Sequence, residues 1–344
     1  MMSIRSPFRQ SPLSISHRLM ILCAVMSGML FLSSASAQER PTTQTTQPSA
    51  RGRGAGRGPV SSSPRDRLPF TNSDFAKLNP NLPTLFIAGD STAATGDPDH
   101  RGWGAVLVDY FDTSRVNLMN YAQGGASFPS FYATRWPKMV EAMKPGDFVV
   151  IEFGHNGGHL DGIGDETREG PMRPGAAGPP ATLHTYGWYV RKFITDAKSK
   201  GATPIVSSTT VRNIWTNPNA TFNEAKIIDQ KPNYNPADDR VERGMGRVLP
   251  GGERTMLVWA RQIAQEEKVP FVDHSNIAAD LYEKLGRVSA QKFHAVDRTH
   301  FSTEGAIAQA ETFVAGLKAL SDMALVGLLN EKGKSIEAYK RASK

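Results

Sequence analysis

The chain has 344 residues, a formal net charge of +7 at pH 7 and one cysteine, Cys23. This length can supply an ordinary hydrophobic core, and a single cysteine excludes an intrachain disulfide and a thiolate-rich metal site. Of the net charge of +7, residues 1–37 contribute +3 and residues 38–68 contribute +4, which leaves the rest of the chain near neutrality. The charge therefore does not indicate a nucleic-acid-binding domain.

Residues 1–37 have the pattern of an export signal. Three arginines precede an apolar run from Leu19 to Leu32, and Ala35-Ser36-Ala37 is a small-residue cleavage site. The apolar run is shorter than the roughly 20 residues that span a bilayer, and no later segment is long and apolar enough to do so. The sequence predicts a secreted or periplasmic protein, cleaved near Ala37, without a membrane span.

Residues 38–68 contain almost no apolar side chains and are rich in proline, threonine, arginine and glycine. We expect a disordered linker there. Its Arg-Gly repeats leave nucleic-acid binding open, but a solvated spacer or weak cell-surface tether is favoured for an exported protein. Residues 69–322 are predicted to form the catalytic domain, and residues 323–344 a helical tail.

From residue 82 onward, short apolar runs alternate with amphipathic stretches, which predicts a parallel sheet with helices on both faces. The predicted strands are 84–88, 116–120, 148–153, 204–208 and 270–272, and the predicted helices are 104–111, 135–143, 186–200, 253–268, 277–285 and 303–320. The fold class is therefore α/β, a three-layer α/β/α sandwich with a five-stranded parallel sheet. Residues 155–184 and 213–252 are rich in glycine, proline and asparagine, and we expect long loops there.

Polar motifs directly follow three of these strands: Asp90-Ser91, Gly124-Gly125 and Gly154-His155-Asn156. In an open α/β sheet the ligand lies outside the carboxyl ends of the strands, where these motifs would meet. Asp297 and His300 supply the acid and base that a serine nucleophile needs. Together they predict a serine esterase.

Each of these residues also has a structural interpretation. Ser91 could cap a helix in a common Gly-Asp-Ser turn, His300 could be a packed core histidine, and Asn156 could stabilise a turn. We expect Asp90 to brace the nucleophile turn and Trp103 to belong to the core. Their combination after consecutive strands favours catalysis.

Two other types of site are disfavoured. His155, His159 and Asp161 lie close together in the sequence, but they do not form a zinc motif such as H-E-x-x-H, so no metal site is predicted. The G-x-S-x-G nucleophile elbow of α/β-hydrolases and the P-loop are both absent from the sequence.

Four blocks of this sequence resemble those of the SGNH hydrolase superfamily, also called GDSL esterases. They are Gly89-Asp90-Ser91, Gly125, Gly154-His155-Asn156 and Asp297-x-x-His300, in matching order and spacing. Gly-Asp-Ser-Thr, Gly102-Trp103-Gly104 and the run from Val150 to Asn156 are similar to those of rhamnogalacturonan acetylesterases, as is Phe271-Val272-Asp273-His274. The resemblance covers residues 83–320 and implies the flavodoxin-like SGNH hydrolase fold.

The resemblance also implies roles for individual residues. Ser91 would be the nucleophile, His300 the general base and then acid, and Asp297 the carboxylate that orients His300. The oxyanion hole would consist of the backbone N–H groups of Ser91 and Gly125 and the side-chain amide of Asn156. One residue departs from the pattern, because Gly157 stands where the family usually has aspartate.

From the same resemblance we expect an acetylesterase that needs no cofactor, is monomeric, and acts on an acetylated polysaccharide or oligosaccharide, in particular the rhamnogalacturonan of pectin. Arg168, Arg173, Arg212, Trp188 and Trp215 are candidates for binding an acidic, ring-rich ligand. Other possibilities are an esterase for xylan or a bacterial glycan, a lipase or thioesterase, and a non-catalytic glycan-binding module.

Overall fold

The computed structural model of the protein describes residues 78–172, 175, 178–216, 238–250 and 252–341, and the backbone of 220–223 and 226–230. The predicted signal peptide, the linker and the first residues of the predicted catalytic domain lie outside the described residues. None of the helices within these ranges is long and apolar enough to cross a membrane.

A five-stranded sheet forms the centre of the fold. Numbered along the whole chain, its strands are β1 (Thr84–Gly89), β2 (Asn117–Asn120), β3 (Phe148–Glu152), β6 (Thr203–Ser207) and β9 (Phe271–Val272). Their order is β2-β1-β3-β6-β9, and every neighbouring pair is parallel. The predicted α/β class with five parallel strands is confirmed.

Both faces of the sheet are covered, which explains why β1 and β3 contain the apolar runs Leu85–Ala88 and Phe148–Ile151. Successive side chains of a strand point to opposite faces. Phe86 and Ala88 of β1 therefore pack in one hydrophobic core, whereas Leu85 and Ile87 pack in the other.

Helices on the first face are α2 (Phe128–Thr134), α3 (Trp136–Ala142), α4 (Tyr186–Ser199) and α5 (Thr255–Glu266). The Phe193 ring of α4 stacks on the Trp136 indole of α3, with 3.9 Å between ring centroids. The opposite face is covered by α1 (Trp103–Val106) and α7 (Thr303–Lys318). There Trp103 stacks on Phe313 at 4.7 Å, and its indole is fully buried, as expected for a core residue.

The remaining helices are α6 (His274–Gln291), which packs against α7, and α8 (Glu331–Ser335), which packs near residues 107–110. The predicted helix 277–285 ends next to Gly286, where the structure has a kink with a φ of 77°. Beyond this kink the chain resumes a helical path to Gln291. The predicted helical tail consists of a 3-10 segment, Ala324–Leu328, followed by α8.

Each of the two predicted long loops contains an antiparallel hairpin. β4 (Thr167–Gly170) pairs with β5 (Ala181–His184), and β7 (Ala220–Asn223) pairs with β8 (Lys226–Gln230). Helix α2 was not predicted from the sequence, although Ser127 forms a capping box at its start and a proline occupies its first turn. Residues 107–110, predicted as part of an α-helix, form a 3-10 turn after α1.

Candidate active site

Three of the predicted site residues lie just beyond the carboxyl ends of neighbouring strands. Ser91 follows β1, Gly125 follows β2 and Asn156 follows β3. β1 lies between β2 and β3, so the chain crosses from one side of β1 to the other after β2. This reversal of direction is where open α/β folds place their ligand.

Ser91, His300 and Asp297 are joined by hydrogen bonds, although Ser91 and His300 are 209 positions apart in the sequence. Ser91 Oγ lies 2.9 Å from His300 Nε2, and His300 Nδ1 lies 2.7 Å from Asp297 Oδ2. The imidazole therefore bridges the hydroxyl and the carboxylate.

The surroundings of Asp297 decide which nitrogen of His300 carries the proton. Partial burial raises the pKa of Asp297, but hydrogen bonds from His300 and from the Thr299 backbone outweigh it and lower the pKa to about 2. Its Oδ1 accepts the backbone N–H groups of Thr299 at 2.7 Å and His300 at 2.8 Å. An ionised carboxylate only accepts, so Nδ1 donates to Asp297, and the lone pair of Nε2 faces the Ser91 hydroxyl.

A second histidine anchors the loop that carries His300. His294 Nδ1 donates to the His300 carbonyl oxygen at 3.1 Å, and His294 Nε2 lies 2.9 Å from the Tyr282 hydroxyl. Burial lowers the pKa of His294 to about 4, so the ring is neutral and can accept from Tyr282. The sequence analysis missed His294, because nothing in its local pattern indicates this contact.

Asp90 fixes the turn that presents Ser91. Its buried carboxylate accepts the backbone N–H of Thr92 at 3.0 Å and the Thr92 hydroxyl at 2.9 Å. The other carboxylate oxygen accepts the backbone N–H of His155 at 3.3 Å. Asp90 thus joins the nucleophile turn to the loop of Asn156, and these contacts match the bracing role expected for it.

A buried Glu152–His274 pair lies beneath this turn. Glu152 Oε1 is 3.4 Å from the Thr92 hydroxyl, and Glu152 Oε2 is 3.3 Å from His274 Nδ1. His274 Nε2 donates to the Gln309 carbonyl oxygen of α7 at 3.0 Å. Both residues fall in sequence blocks that resemble the acetylesterases, but their pairing across 122 positions could not be read from the sequence.

The Asn156 side chain is bonded to the loop that carries Gly125. Gly125 has a φ of 72°, a conformation that favours glycine. The Asn156 amide donates to the carbonyl oxygen of the next residue, Ala126, at 3.0 Å. An amide carries two N–H donors, so Asn156 can hold this loop and still have a second hydrogen to offer.

Next to Gly125 is a pocket of about 340 Å³, lined by residues 123–126, by Ser130 and Thr134 of α2 and by residues 171–172 and 178–179. Behind this loop the buried Arg135 donates to Gln123 Oε1 at 2.6 Å and to the Tyr121 carbonyl oxygen at 3.3 Å. No carboxylate of the described residues forms an ion pair with Arg135, and burial lowers its pKa to about 10. A positive charge behind Gly125 favours an anion at this site.

The histidines considered for a metal site have other partners. His155 Nε2 lies 3.1 Å from the Thr210 hydroxyl, and the His159 ring packs against Phe128 and Tyr186. In the part of the chain that the structure describes, no group of three or more metal-ligating side chains comes together.

The candidate binding residues have different surroundings. Arg212 lies near enough to His155 for its charge to add to the effect of burial in lowering the pKa of that histidine. Trp188 stacks on His184 at 3.6 Å, and the Arg287 guanidinium lies over the Trp215 ring at 5.5 Å. Arg168 is exposed on β4, and Arg173 lies outside the described residues. Both tryptophans are thus packed against protein side chains.

The sequence matches the family described as GDSL-like Lipase/Acylhydrolase over residues 85–313. The chain belongs to this family. Its members are ester hydrolases, which confirms the predicted enzyme class, a hydrolase of carboxylic esters.

Three relatives of this GDSL acylhydrolase are described as rhamnogalacturonan acetylesterases. The enzyme of Emericella nidulans is 32% identical over 242 residues, which cover 67% of this chain and 83% of the relative. In Bacillus subtilis, the probable rhamnogalacturonan acetylesterase YesY is 24% identical over 69% of this chain and 93% of the relative. The rhamnogalacturonan acetylesterase RhgT of the same organism is 25% identical over 73% of this chain and 96% of the relative. The resemblance drawn from the sequence blocks is confirmed.

Proposed function

We propose that this GDSL acylhydrolase is a secreted carbohydrate esterase that removes O-acetyl groups from a plant cell-wall polysaccharide, the rhamnogalacturonan of pectin. The observation that carries the proposal is the hydrogen-bonded line from Ser91 Oγ through His300 to Asp297. It lies at the carboxyl edge of the sheet, where α/β enzymes bind their ligands.

In the first step His300 Nε2 takes the proton of Ser91 as Oγ attacks the acetyl carbonyl carbon. The carbonyl oxygen becomes an anion, which the backbone N–H groups of Ser91 and Gly125 and the Asn156 amide would stabilise. One such fixed donor contributes about 3 to 4 kcal/mol to transition-state binding. His300 then passes its proton to the departing sugar oxygen, and the acetyl group stays on Ser91.

In the second step water attacks the acetyl-Ser91 carbonyl carbon while His300 Nε2 takes a proton from that water. The Ser91–acetyl bond breaks, His300 returns the proton to Ser91 Oγ, and acetate leaves. Asp297 remains ionised throughout and stabilises the protonated imidazole. No cofactor enters either step.

The substrate assignment is supported by the descriptions of the three relatives, all of them rhamnogalacturonan acetylesterases. The predicted export signal in residues 1–37 supports a location outside the cytoplasm, where plant polysaccharides occur. Gly157 is a point of difference, because an aspartate at this position would place a further carboxylate beside Asn156.

Acetate release from acetylated rhamnogalacturonan, acetylated xylan and p-nitrophenyl acetate tests the proposal, with the predicted mature chain and its Ser91→Ala variant side by side. We expect the highest kcat/KM on rhamnogalacturonan and a loss of about 10⁴-fold or more in Ser91→Ala. Ser114→Ala is the matched control, since the Ser114 hydroxyl is exposed and donates to Asp112 on the surface.

Each of the other results of this assay indicates a different function. A preference for acetylated xylan would make the protein an esterase of another glycan, and activity on the small ester alone would direct the search to lipids or thioesters. Substantial activity in Ser91→Ala contradicts the acyl-enzyme mechanism itself.

A further inference from the structure

A second Asp-x-x-His sequence lies in the loop after the nucleophile, at Asp97-Pro98-Asp99-His100. His100 Nδ1 lies 3.0 Å from Asp97 Oδ1, which also accepts the backbone N–H groups of Asp99 and His100 at 3.0 Å. The hydrogen bond with His100 is the largest of the effects that lower the pKa of Asp97. The pair thus repeats the arrangement of Asp297 and His300.

The two imidazole rings are in contact. The centroids of His100 and His300 are 5.4 Å apart, with the planes inclined at 65° in an edge-on arrangement. This is a favoured geometry for paired rings. The His100 side chain is largely buried, at 22% exposure, so its position is restricted by its surroundings.

This contact restrains a motion that the catalytic hydrogen bonds leave open. His300 is held at Nδ1 by Asp297 and at Nε2 by Ser91. Both bonds are made in the plane of the ring, so they oppose displacement of the ring out of that plane less strongly than displacement within it. The edge-on contact with the His100 ring adds a restraint on this motion, and keeps the Nε2 lone pair directed at Ser91 Oγ.

The loop of His100 is also attached to the loop that follows His300. The Arg101 backbone N–H donates to the Phe301 carbonyl oxygen at 2.9 Å, and the Thr303 hydroxyl donates to the Pro98 carbonyl oxygen at 3.2 Å. These two hydrogen bonds between neighbouring segments hold the His100 ring against the His300 ring. We propose that Asp97 and His100 form a positioning pair that holds the His300 imidazole in the orientation needed to accept the Ser91 proton. This role rests on the proposed function of Ser91 and His300.

Packing of the His100 ring on His300 is the basis of this role, and the hydrogen bond with Asp97 holds the ring in place. His100→Ala should therefore abolish the role, and His100→Phe, which keeps a ring but loses that hydrogen bond, should preserve part of it. We expect His100→Ala to lower kcat on p-nitrophenyl acetate by about 10- to 100-fold, since small misplacements of catalytic groups cost that much, with KM changed less than about twofold. The kcat of His100→Phe should lie clearly between those of His100→Ala and the wild type.

Two further variants in the same loop complete the set. Asp97→Ser keeps a capping oxygen for the turn but removes the carboxylate that holds the His100 ring, so kcat should fall in the same direction as in His100→Ala. Asp99→Asn changes an exposed carboxylate whose side chain makes no hydrogen bond among the described residues, and should behave as wild type. Thermal denaturation of each variant checks that the fold is kept.

Covalent labelling of Ser91 by a fluorophosphonate separates failure of this proposal from failure of the proposed function. Labelling of wild type but not of Ser91→Ala, slowed in His100→Ala and partly restored in His100→Phe, supports the positioning pair. Wild-type kcat and labelling rates in His100→Ala overturn it alone, as does a folded His100→Phe that is as slow as His100→Ala. Absence of labelling in wild type overturns both proposals.

Discussion

The tautomer of His300 depends on a single carboxylate. Asp297 accepts three hydrogen bonds, from the His300 ring, the His300 backbone and the Thr299 backbone. The two backbone contacts would hold the side chain in place even if its chemistry changed. A substitution that keeps the shape of the Asp297 side chain but removes its charge can therefore separate the effect of the charge from the effect of the position.

Asp297→Asn is that change. The amide oxygen can still accept the backbone N–H groups, but the NH₂ group would face His300 Nδ1 and force that nitrogen to accept. The proton would then sit on Nε2, where it blocks transfer from Ser91. We expect kcat on p-nitrophenyl acetate to fall by about 10³- to 10⁴-fold, with the melting temperature little changed.

Glu304→Gln serves as a comparison, since Glu304 is an exposed carboxylate in an ion pair with Lys292 and its loss should leave kcat unaltered. An Asp297→Asn variant with half or more of the wild-type kcat would show that Asp297 does not set the tautomer.

Helix α1 lies against the nucleophile turn, and Gly102 at its start permits the close approach. The backbone N–H of Gly102 donates to the Ala94 carbonyl oxygen at 2.8 Å, and that of Trp103 donates to the Thr92 carbonyl oxygen at 2.9 Å. A Cβ at Gly102 would lie 2.3 Å from backbone atoms of Ala93 and Ala94. Backbone cannot give way as a side chain can, so the turn itself would have to move.

Gly102→Ala should therefore reduce both stability and activity. Crowding of this kind costs about 1 to 3 kcal/mol of unfolding free energy, and displacement of Ser91 should lower kcat by at least about tenfold. Urea denaturation and ester hydrolysis measure the two effects. Gly327→Ala is the matched control, because a Cβ at Gly327 has no atom within 4 Å; equal stability and kcat in the two variants would contradict the argument.

Elements with a strong apolar pattern were predictable from the sequence, and others were not. β1 and β3 are buried along their whole length and read as uninterrupted apolar runs. Three of the four residues of β4 are exposed, so no apolar alternation marks that strand and its hairpin was taken for a loop. Helix α2 is seven residues long, and the sequence sign of it was the capping box at Ser127 together with Pro129 in its first turn.

At the scale of the whole molecule, strand order accounts for the part of the site that sequence could predict. Ser91, Gly125 and Asn156 each follow a recognisable strand, so parallel pairing alone places them at one edge. No comparable rule predicts which loops come into contact when they are far apart in the sequence. The edge-on packing of His100 on His300, and the anchoring of the His300 loop by His294, depend on tertiary contacts that no local pattern encodes.

Two buried histidines make the stability of the whole fold depend on pH. Burial lowers the pKa of His159 and of His294 from the ordinary 6.5 to about 4. Above pH 6.5 both rings are neutral in the folded and unfolded states, and their contribution to stability is fully present. As the pH falls towards 4, the unfolded chain binds protons that the folded chain does not, so stability is lost. Burial lowers the pKa of His155 in the same direction.

His159→Phe isolates one of these contributions. The His159 ring packs between aromatic rings, and its buried Nδ1 has no hydrogen-bond partner among the described residues, so phenylalanine should fit at little cost. Between pH 7.5 and 5.0 each such histidine should lower the free energy of unfolding of the wild type by about 2 kcal/mol. Urea denaturation at both pH values measures this fall in the free energy of unfolding. The fall should be smaller by about 2 kcal/mol in His159→Phe than in the wild type. An equal loss in wild type and variant would mean that His159 is protonated in the folded state, and that the ring is not shielded from water as its packing implies.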